Sequence, residues 1–497
     1  MRTMRESGIL MPIFSLPSQY GIGSLSKEAY LFVDNLKQAG QKYWQILPLG
    51  PTGYGDSPYQ PFSAFAGNPY FIDLESLVQE GLLTDAECKA VDFGDDPRSI
   101  DYEKLYLGRF QLLRKAYDRS NIGEKKDFRR YKKANSAWLE DYALYMAVKK
   151  TFGEISWNLW DEDIRLRRPD ALQRYRKELR GEIGFYEFQQ YTFSKQWQKL
   201  KTYANKKGIR FIGDIPIYVA FDSADTWSHP ELFQFDERNN PVAVSGCPPD
   251  AFSPTGQLWG NPLYNWPYHK KTEYAWWVQR MAYCFQLYDV VRIDHFRGFD
   301  EYYSIPFGHP TAEHGQWRKG PGISLFRQIN SQLGNVDIIA EDLGYVTDSV
   351  RRLVRKAGYP GMKVLEFAFD SREESDYMPH NYNEDCVVYT GTHDNDTLQG
   401  WYEVIPDADR QLCVEYIGNE KTDPADIHWD FVRLALSSVA SLAVIPVQDY
   451  LGLGSEARIN TPSTLGNNWK WRLLDGELTD ELLGKIKRMN TLYGRNK

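Results

Sequence analysis

Carboxylates follow most of the short apolar runs in this sequence, and they give the first indication of its chemistry. One aspartate at the end of a strand is usually a helix cap or a turn residue. Several that converge on one place repel each other, and folding alone does not require such repulsion. We therefore interpret the set as candidate catalytic groups. Six of eight runs end in one: Asp214, Asp294, Glu341, Asp370, Asp394 and Asp449.

Two of these carboxylates have sequence surroundings that suit opposite roles in glycosidic bond cleavage. That reaction typically uses one ionised carboxylate at the anomeric carbon and one protonated carboxyl group that assists the leaving oxygen. Arg292 and Asp294 lie two residues apart on one predicted strand, hence on one face, where the guanidinium should lower the pKa of Asp294. Glu341 follows an apolar run that should raise its pKa. A purely structural ion pair between Arg292 and Asp294 is the alternative.

A regular series of apolar runs must position these groups. Near-continuous apolar runs are typical of parallel strands buried on both faces. Eight of them, alternating with helix-length segments, predict a closed (β/α)8 barrel, the TIM-barrel fold of the α/β class. Such barrels carry reactive side chains at the C-terminal ends of their strands, where these carboxylates stand. The predicted strands are 8–14, 43–49, 209–219, 290–296, 336–343, 364–369, 386–392 and 441–450.

The uneven spacing of the runs predicts insertions in a single catalytic barrel over residues 1–497. Residues 68–198 show helical periodicity, so we expect an inserted helix-rich subdomain there. Residues 221–288 include a Pro/Gly-rich stretch at 246–256, which predicts an inserted loop subdomain that covers the active site. A smaller excursion surrounds residues 308–322. The last run leaves room for one closing helix, so we expect no C-terminal β-domain.

Composition and charge exclude several classes of protein. The formal net charge is -8, and no stretch concentrates basic residues as a nucleic-acid track would. No run approaches the roughly 18 apolar residues of a membrane span. Five scattered cysteines are typical of reduced thiols, so we expect a cytoplasmic protein. The eight histidines show no ligand spacing, so we expect neither a metal nor another cofactor. The oligomeric state is not predicted.

Three segments resemble the catalytic segments of a known family. They read Arg-Ile-Asp-His-Phe-Arg at 292–297, Ala-Glu-Asp-Leu-Gly at 340–344 and Thr-His-Asp-Asn-Asp-Thr at 392–397. The family is that of the amylomaltases and disproportionating enzymes, the 4-alpha-glucanotransferases of glycoside hydrolase family 77. The resemblance extends over essentially the whole chain and includes residues 48–59, 213–218, 256–262 and 466–469.

The resemblance implies roles for individual residues. Asp294 would be the nucleophile and Glu341 the general acid/base, while Asp394, paired with His393, would bind sugar hydroxyls at the cleavage subsite. Arg292 would orient and ionise Asp294. The segments that resemble the family's glucan groove contain Asp214, Tyr59, Trp259, Asn261 and Asp370.

The resemblance also concerns two peripheral features. In the family, the loop that corresponds to Pro-Pro-Asp-Ala-Phe at 248–252 covers the acceptor side, and some relatives have an aromatic residue where Ala251 stands. Tyr54 and Tyr102 either form a remote glucan-docking surface or are ordinary half-exposed tyrosines.

The function that these features imply is transfer rather than hydrolysis. We expect a retaining enzyme that moves a segment of a 1,4-alpha-glucan to the 4-hydroxyl of an acceptor through a covalent glycosyl-enzyme, with maltooligosaccharides and 1,4-alpha-glucans as substrates. The alternative is an alpha-glucan hydrolase of the same clan, although the small β-domain usual in those enzymes is not expected here. A non-catalytic glucan-binding protein is disfavoured, because binding alone needs no paired acid and base.

Overall fold

The computed structural model describes residues 5–53, 55–249, 253–344, 346–419 and 421–496. Tyr54 and residues 250–252, which concern two of the expectations above, lie outside the described residues. The strands in the described part of the chain are β1 (Glu6–Leu10), β2 (Tyr43–Gln45), β3 (Arg210–Pro216), β4 (Ala243–Cys247), β5 (Gln257–Pro262), β6 (Val290–Asp294), β7 (Glu301–Pro306), β8 (Gln316–Lys319), β9 (Ile338–Ala340), β10 (Gly361–Val364), β11 (Cys386–Tyr389) and β12 (Leu442–Pro446).

Helices connect and surround these strands. The α-helices in the described ranges are α1 (Lys27–Gln38), α2 (Leu74–Gln79), α3 (Asp85–Lys89), α4 (Tyr102–Arg119), α5 (Lys126–Ala134), α6 (Ser136–Thr151), α7 (Glu162–Arg165), α8 (Pro169–Glu178), α9 (Arg180–Lys207), α10 (Ala224–Ser228), α11 (Trp266–Lys271), α12 (Ala275–Leu287), α13 (Ile323–Leu333), α14 (Asp348–Ala357), α15 (Leu398–Val404), α16 (Asp407–Ile417), α17 (Ile427–Ser437), α18 (Val447–Leu451) and α19 (Asp480–Leu492). None of these described helices combines the length and apolar character that a membrane span needs.

Eight parallel strands form a nearly closed barrel in the order β10-β11-β12-β1-β2-β3-β6-β9. Two hydrogen bonds bridge the remaining gap between β9 and β10. The Ala340 N–H donates to the Pro360 carbonyl at 3.0 Å, and the Met362 N–H donates to Asp342 Oδ1 at 2.8 Å. A carboxylate thus takes the place of a ladder carbonyl. The predicted α/β barrel fold is confirmed.

Alternation along the strands aims the candidate residues inward. Successive strand residues point to opposite faces, and Val290 packs in the cluster inside the barrel while Val291 packs in the outer core. Arg292 and Asp294 continue the inner stripe of β6. Ile212 likewise precedes Asp214 on the inner face of β3, and Ile339 precedes Glu341 on the inner face of β9. The lower barrel is therefore apolar and its C-terminal end is charged.

A glycine makes room for the outer layer beside Asp214. Gly213 points outward from β3, and a Cβ there would lie 2.1 Å from the ring of Tyr288. Since such a contact is far inside van der Waals distance, a larger side chain at position 213 would displace either the ring or the strand that carries Asp214.

The insertions contain more regular structure than the sequence predicts. Helices α2–α9 lie between β2 and β3, where a helix-rich segment is expected. The segment predicted as a loop subdomain contributes β4 and β5 to a four-stranded antiparallel sheet in the order β5-β4-β7-β8. This sheet joins residues 243–262 to residues 301–319, two excursions that are separate in the sequence.

The sixth predicted strand is wrong in position. The strand ends at Val364, and residues Leu365–Phe367 form a turn of 3-10 helix. Leu365, Ala368 and Phe369 are buried in the outer core, so the run is apolar although most of it is not a strand. Short apolar runs of strands and of buried helical turns cannot be distinguished by periodicity alone.

Candidate active site

A buried ion-pair array closes the upper end of the barrel interior. The Nη1 group of Arg292 donates to both carboxylate oxygens of Asp214, at 2.7 and 2.6 Å. Its Nη2 group donates to Asp294 Oδ1 at 3.1 Å. Asp214 is fully buried, whereas the Asp294 side chain is 30% exposed. One guanidinium therefore links a structural carboxylate below to a solvent-facing carboxylate above.

Glu341 follows β9, next to the end of β6 that carries Asp294. Ile293 pairs with Ala340 in the parallel ladder, and the Glu341 N–H donates to the Ile293 carbonyl at 3.1 Å. The two carboxylates are thus neighbours at the same end of adjacent strands. Adjacent strands lie about 4.8 Å apart, so two side chains at equivalent positions can face one reacting atom.

Two backbone N–H groups orient the Glu341 carboxylate. The His295 N–H donates to Oε2 at 2.6 Å, and the Leu343 N–H donates to Oε1 at 2.7 Å. His295 has a positive φ of 54°, an uncommon conformation for a residue other than glycine. It bends the chain sharply after Asp294, and this bend accompanies the contact with Glu341.

Burial raises the pKa values of both carboxyl groups, although their neighbours act differently. Burial, followed by the charge of Asp294, raises the pKa of Glu341 to about 7. Burial raises the pKa of Asp294 to about 6, against the lowering effect of Arg292 and with added repulsion from Asp214 and Asp394. The predicted increase for Glu341 agrees with this structure. Arg292 lowers the pKa of Asp294 as predicted, but the predicted net direction is wrong, because burial, together with the charges of Asp214 and Asp394, outweighs the guanidinium.

Asp394 lies in the loop after β11, held by side chains from the C-terminal region. Asn460 Nδ2 donates to Asp394 Oδ1 at 2.6 Å, and Arg458 donates to the Asp394 carbonyl at 2.7 Å. His393 Nε2 lies 3.3 Å from Asp394 Oδ1. The His393 ring stacks on Tyr59 at a centroid distance of 5.0 Å. Tyr59 in turn donates its hydroxyl proton to Asp214 Oδ2 at 2.8 Å.

Strand β5 brings Trp259 and Asn261 to the cleft. They lie two apart and therefore on one face. Trp259 meets His295 edge-on, with ring centroids 4.7 Å apart. Asn261 exchanges two amide hydrogen bonds of 3.2 Å with Gln60 and also donates to the Val219 carbonyl. A rigid polar contact thus joins the antiparallel sheet to the segment that carries Tyr59.

These residues surround an open cleft of about 560 Å³. Aromatic faces and polar groups alternate along its wall, an arrangement that suits the C–H faces and hydroxyls of sugar rings. Of the predicted residues, Tyr59, Trp259, Asn261, Asp294, His393 and Asp394 line it. Arg292 and Asp214 lie behind Asp294, and Glu341 lies beside it.

Asp370 is not brought to this cleft. It pairs with Arg372, whose Nη2 group donates to Asp370 Oδ2 at 2.6 Å, and the Arg372 side chain is 83% exposed. Hydrogen bonds from Arg372 lower the pKa of Asp370 to about 2. It follows the 3-10 turn that the sequence predicts as a strand, and it is not among the residues that line the cleft.

Tyr102 does not line the cleft itself, although it contacts a residue that does. Its hydroxyl donates to the Trp469 carbonyl at 2.8 Å and its ring packs near Tyr70. The Tyr102 hydroxyl therefore has a structural hydrogen bond, and whether the residue also belongs to a glucan-docking surface stays a prediction.

The structure adds residues that sequence reasoning did not assign. Asn460 and Arg458 hold Asp394, Gln60 holds Asn261, and Trp469 lines the cleft. Trp469 stands in a segment that resembles the family, so the resemblance could have identified it as a cleft residue. Asn460 is a single polar residue in an irregular segment, and nothing in its local pattern predicts the contact. Within the described residues no cluster of three or more His, Cys, Asp or Glu side chains is arranged to hold a metal ion.

Comparison with known proteins identifies relatives along the whole chain. A family model for 4-alpha-glucanotransferase matches residues 11–478. The 4-alpha-glucanotransferase of Clostridium butyricum is 49% identical over 487 residues, covering 98% of this chain and 100% of that protein. That of Thermus thermophilus is 45% identical, covering 98% and 99%. Among solved structures, the amylomaltase from Streptococcus agalactiae in complex with acarbose superposes with a TM-score of 0.96 at 41% identity, covering 99% of each chain.

Proposed function

The chain belongs to the 4-alpha-glucanotransferase family, whose members transfer glucan segments, and we propose that Asp294 is its nucleophile and Glu341 its general acid/base. One observation carries the proposal. The two carboxyl groups stand at equivalent ends of neighbouring strands, and the group with the higher pKa is Glu341. Retaining enzymes need two carboxyl groups about 5–5.5 Å apart, and neighbouring strands, which lie about 4.8 Å apart, allow such a separation.

In the first step, a carboxylate oxygen of Asp294 attacks the anomeric carbon of the donor glucan. The bond from that carbon to the leaving oxygen breaks as Glu341 gives its proton to the oxygen. The products are a covalent glycosyl-Asp294 and a shortened glucan that leaves with a free 4-hydroxyl. Arg292 supports this step because its hydrogen bond keeps Asp294 oriented and favours the ionised form.

In the second step, the 4-hydroxyl of an acceptor sugar attacks the same carbon. Glu341, now ionised, takes the hydroxyl proton, and the ester bond to Asp294 breaks. The two inversions retain the α-configuration. Water can intercept the intermediate in principle, and an acceptor bound against the cleft wall competes with it by proximity.

The remaining cleft residues are proposed to hold the sugar rings. Asp394 has its Oδ1 oriented by Asn460 and His393, which leaves Oδ2 available to accept sugar hydroxyls at the cleavage subsite. Trp259 and Tyr59 present ring faces for the C–H surfaces of sugars. These contacts strengthen catalysis if they fit the distorted ring better than the relaxed one.

We propose maltooligosaccharides and longer 1,4-alpha-glucans as substrates, and the cytoplasm as the compartment. The cleft is open and is lined by Asp294 and by the residues proposed to hold sugar rings. None of the five cysteines, which all lie in the described part of the chain, forms a disulfide, and four are buried, as suits a reducing compartment. We also propose that the inserted subdomain of residues 221–288 covers the active site, because β5 supplies part of the cleft wall.

The proposal is tested by incubation of the protein with maltotriose and separation of the products by chain length. Transfer yields glucose together with chains longer than three units, while the number of reducing ends stays constant. A rise in reducing ends that matches bond cleavage would instead identify a hydrolase. The Glu341→Gln variant controls for a contaminating enzyme, since it should form neither product.

A further inference from the structure

The segment between β11 and α15, residues 390–397, brings two candidate site residues to the cleft. His393 and Asp394 lie in its middle and line the cleft. Residues 390–397 form neither strand nor helix, so no regular ladder of backbone hydrogen bonds fixes their course. Within this segment, which we call the Asp394 loop, Thr392 donates its N–H and its hydroxyl proton to Asn395 Oδ1, at 2.9 and 2.8 Å. The position of Asp394 therefore depends on contacts from other parts of the fold.

One buried carboxylate outside the cleft bonds to both ends of the Asp394 loop. Asp449 Oδ2 accepts the hydroxyl proton of Thr390 at 2.5 Å. Asp449 Oδ1 accepts the N–H of Leu398, the first residue of α15, at 2.9 Å. All three residues are buried, and Asp449 is not among the residues that line the cleft. Because a carboxylate accepts at both oxygens, this one side chain joins the end of β11 to the start of α15.

The helix that carries Asp449 is itself firmly packed. Asp449 lies in α18, directly after β12, which is the strand that pairs with β11 in the barrel. Val447 and Tyr450 of the same helix are buried in the outer core. Gln448 Nε2 donates to the Ala457 carbonyl at 3.1 Å, and both residues are buried. Since closely packed side chains resist displacement, α18 holds Asp449 in place relative to the barrel wall.

Helix capping alone does not account for Asp449. The first N–H groups of a helix need acceptors, and Thr397, the residue before α15, supplies the usual one by accepting the Gly400 N–H at 3.1 Å. Asp449 accepts the Leu398 N–H in addition. Its other oxygen bonds to Thr390, which lies at the opposite end of the loop and outside α15. The carboxylate therefore ties the two ends of the loop together.

A second set of contacts holds the middle of the loop. Arg458 donates to the Asp394 carbonyl, and Asn460 Nδ2 donates to Asp394 Oδ1. The Asn460 N–H also donates to the His393 carbonyl at 3.1 Å. These donors lie in the chain that follows α18. Asp449 thus holds the ends of the loop and they hold its middle, so the place of the Asp394 carboxylate depends on both.

We propose that Asp449 is a positioning residue of the transfer reaction, which sets the place of Asp394 in the cleft by holding both ends of the Asp394 loop. This inference rests on the proposed function of Asp394, which is to bind sugar hydroxyls at the cleavage subsite. Asp449 does not line the cleft, so it acts through Asp394. A displacement of about 1 Å can lower a rate about 10²-fold. Because contacts that fit the distorted ring act in the transition state, their displacement should lower kcat more than it raises KM.

The test compares two buried carboxylates of similar local chemistry. Asp449→Ala removes the acceptor of Thr390 and Leu398, so kcat for maltotriose disproportionation should fall about 10- to 100-fold, with KM within about threefold. Asp73→Ala is the matched control, because the buried Asp73 accepts the hydroxyl proton and the N–H of Ser76, at 2.5 and 3.0 Å, at the start of α2. Its midpoint of urea unfolding should shift as that of Asp449→Ala does, while kcat stays within about twofold. Equal losses of kcat in the two variants would overturn the proposal.

Two milder variants keep the test decisive if Asp449→Ala does not fold. Asp449→Asn should restore kcat to within about threefold of the original value, because its amide oxygen accepts the Leu398 N–H while its amide group donates to the Thr390 hydroxyl. Thr390→Val removes one bond and keeps the side-chain size, so kcat should fall about fivefold in a folded protein. An unchanged kcat in Thr390→Val, or an Asp449→Asn variant as slow as Asp449→Ala, would overturn the proposal.

A double variant tests whether Asp449 acts through Asp394. If it does, Asp394→Ala and the double variant Asp394→Ala/Asp449→Ala should have the same kcat, whereas a further loss of about tenfold in the double variant would overturn the proposal. The same rates separate this inference from the proposed function. A slow Asp394→Ala with a normal Asp449→Ala refutes only the positioning role, and a fully active Asp394→Ala refutes the role of Asp394 and this inference with it.

Discussion

Two aspartate–arginine pairs follow apolar runs in this chain, and their environments differ completely. Asp214 and Arg292 are buried in the barrel, where the guanidinium also reaches Asp294. Asp370 and Arg372 form an equally short pair on the surface, with the arginine exposed to solvent. The pairs are alike as chemistry, although Asp214 and Arg292 are 78 positions apart and Asp370 and Arg372 only two. Only Asp214 and Arg292 lie on strand faces that point into the barrel. Position in the barrel, rather than residue type, therefore decides which pair can take part in the proposed reaction.

The largest expected difference is in turnover. Asp294→Asn removes the proposed nucleophile, so we expect maltotriose disproportionation to fall about 10⁴-fold or more while glucan binding remains. Asp370→Asn is the matched control and should retain activity within about twofold, as is usual for surface changes. Initial rates and calorimetric binding of maltotriose measure both effects. A fully active Asp294→Asn variant would refute the catalytic assignment, and an inactive Asp370→Asn variant would restore Asp370 to the site.

The next difference concerns the free energy of unfolding. Arg292→Met leaves Asp214 without its guanidinium in a site that has no exposure, and a broken buried ion pair costs about 3–5 kcal/mol. The activity should also fall, because Asp294 loses its orienting hydrogen bond. Urea unfolding measures the first effect. Arg372→Met should leave the unfolding midpoint unchanged, since exposed pairs contribute little. Equal midpoints for both variants would contradict the comparison.

The pH dependence should report the buried carboxyl groups and not the exposed pair. Asp294 must be ionised to attack, so kcat/KM should fall as pH decreases below about 6. Glu341 must be protonated to assist departure, so kcat/KM should fall as pH rises above about 7. The two limbs belong to the interacting pair rather than to single residues. Asp370→Asn should leave the pH profile of initial rates unchanged. A flat profile from about pH 5 to about pH 8, that is, from about one unit below the lower pKa to about one unit above the higher one, would contradict the assignment.

Much of the candidate catalytic centre could be predicted because strand periodicity is local. Val290, Arg292 and Asp294 alternate along one strand, so their common inward direction follows from the sequence. Asp370 shows the limit of that reasoning, since an apolar 3-10 turn and an apolar strand look alike. The net direction of the Asp294 pKa shift is not predicted correctly, because burial by surrounding parts of the fold raises this pKa more than Arg292 lowers it.

Contacts between distant parts of the chain account for what the sequence does not predict. Asn460 reaches Asp394 across 66 positions, from an irregular segment with no periodic signal. The antiparallel sheet pairs β4, from the residues 221–288 that are predicted as a loop subdomain because of their turn residues, with β7, for which the sequence predicts no strand. In each case the partner, rather than the local pattern, determines the structure.

The smallest expected effect concerns Asp342, a further carboxylate at a strand end, whose hydrogen bond helps to close the barrel. It accepts the Met362 N–H across the gap between β9 and β10. A Cβ at Gly361 would lie 2.5 Å from its carboxylate oxygen, so the two positions are fitted to each other. Asp342→Ala leaves the N–H unpaired, and we expect the unfolding free energy to fall by about 1–3 kcal/mol in urea titrations. Asp342→Asn should retain most of the stability, because the amide oxygen still accepts. Asp385→Ala, an exposed change in the same region, is the control. If Asp342→Ala were as stable as that control, the backbone bond from Ala340 would suffice to close the barrel.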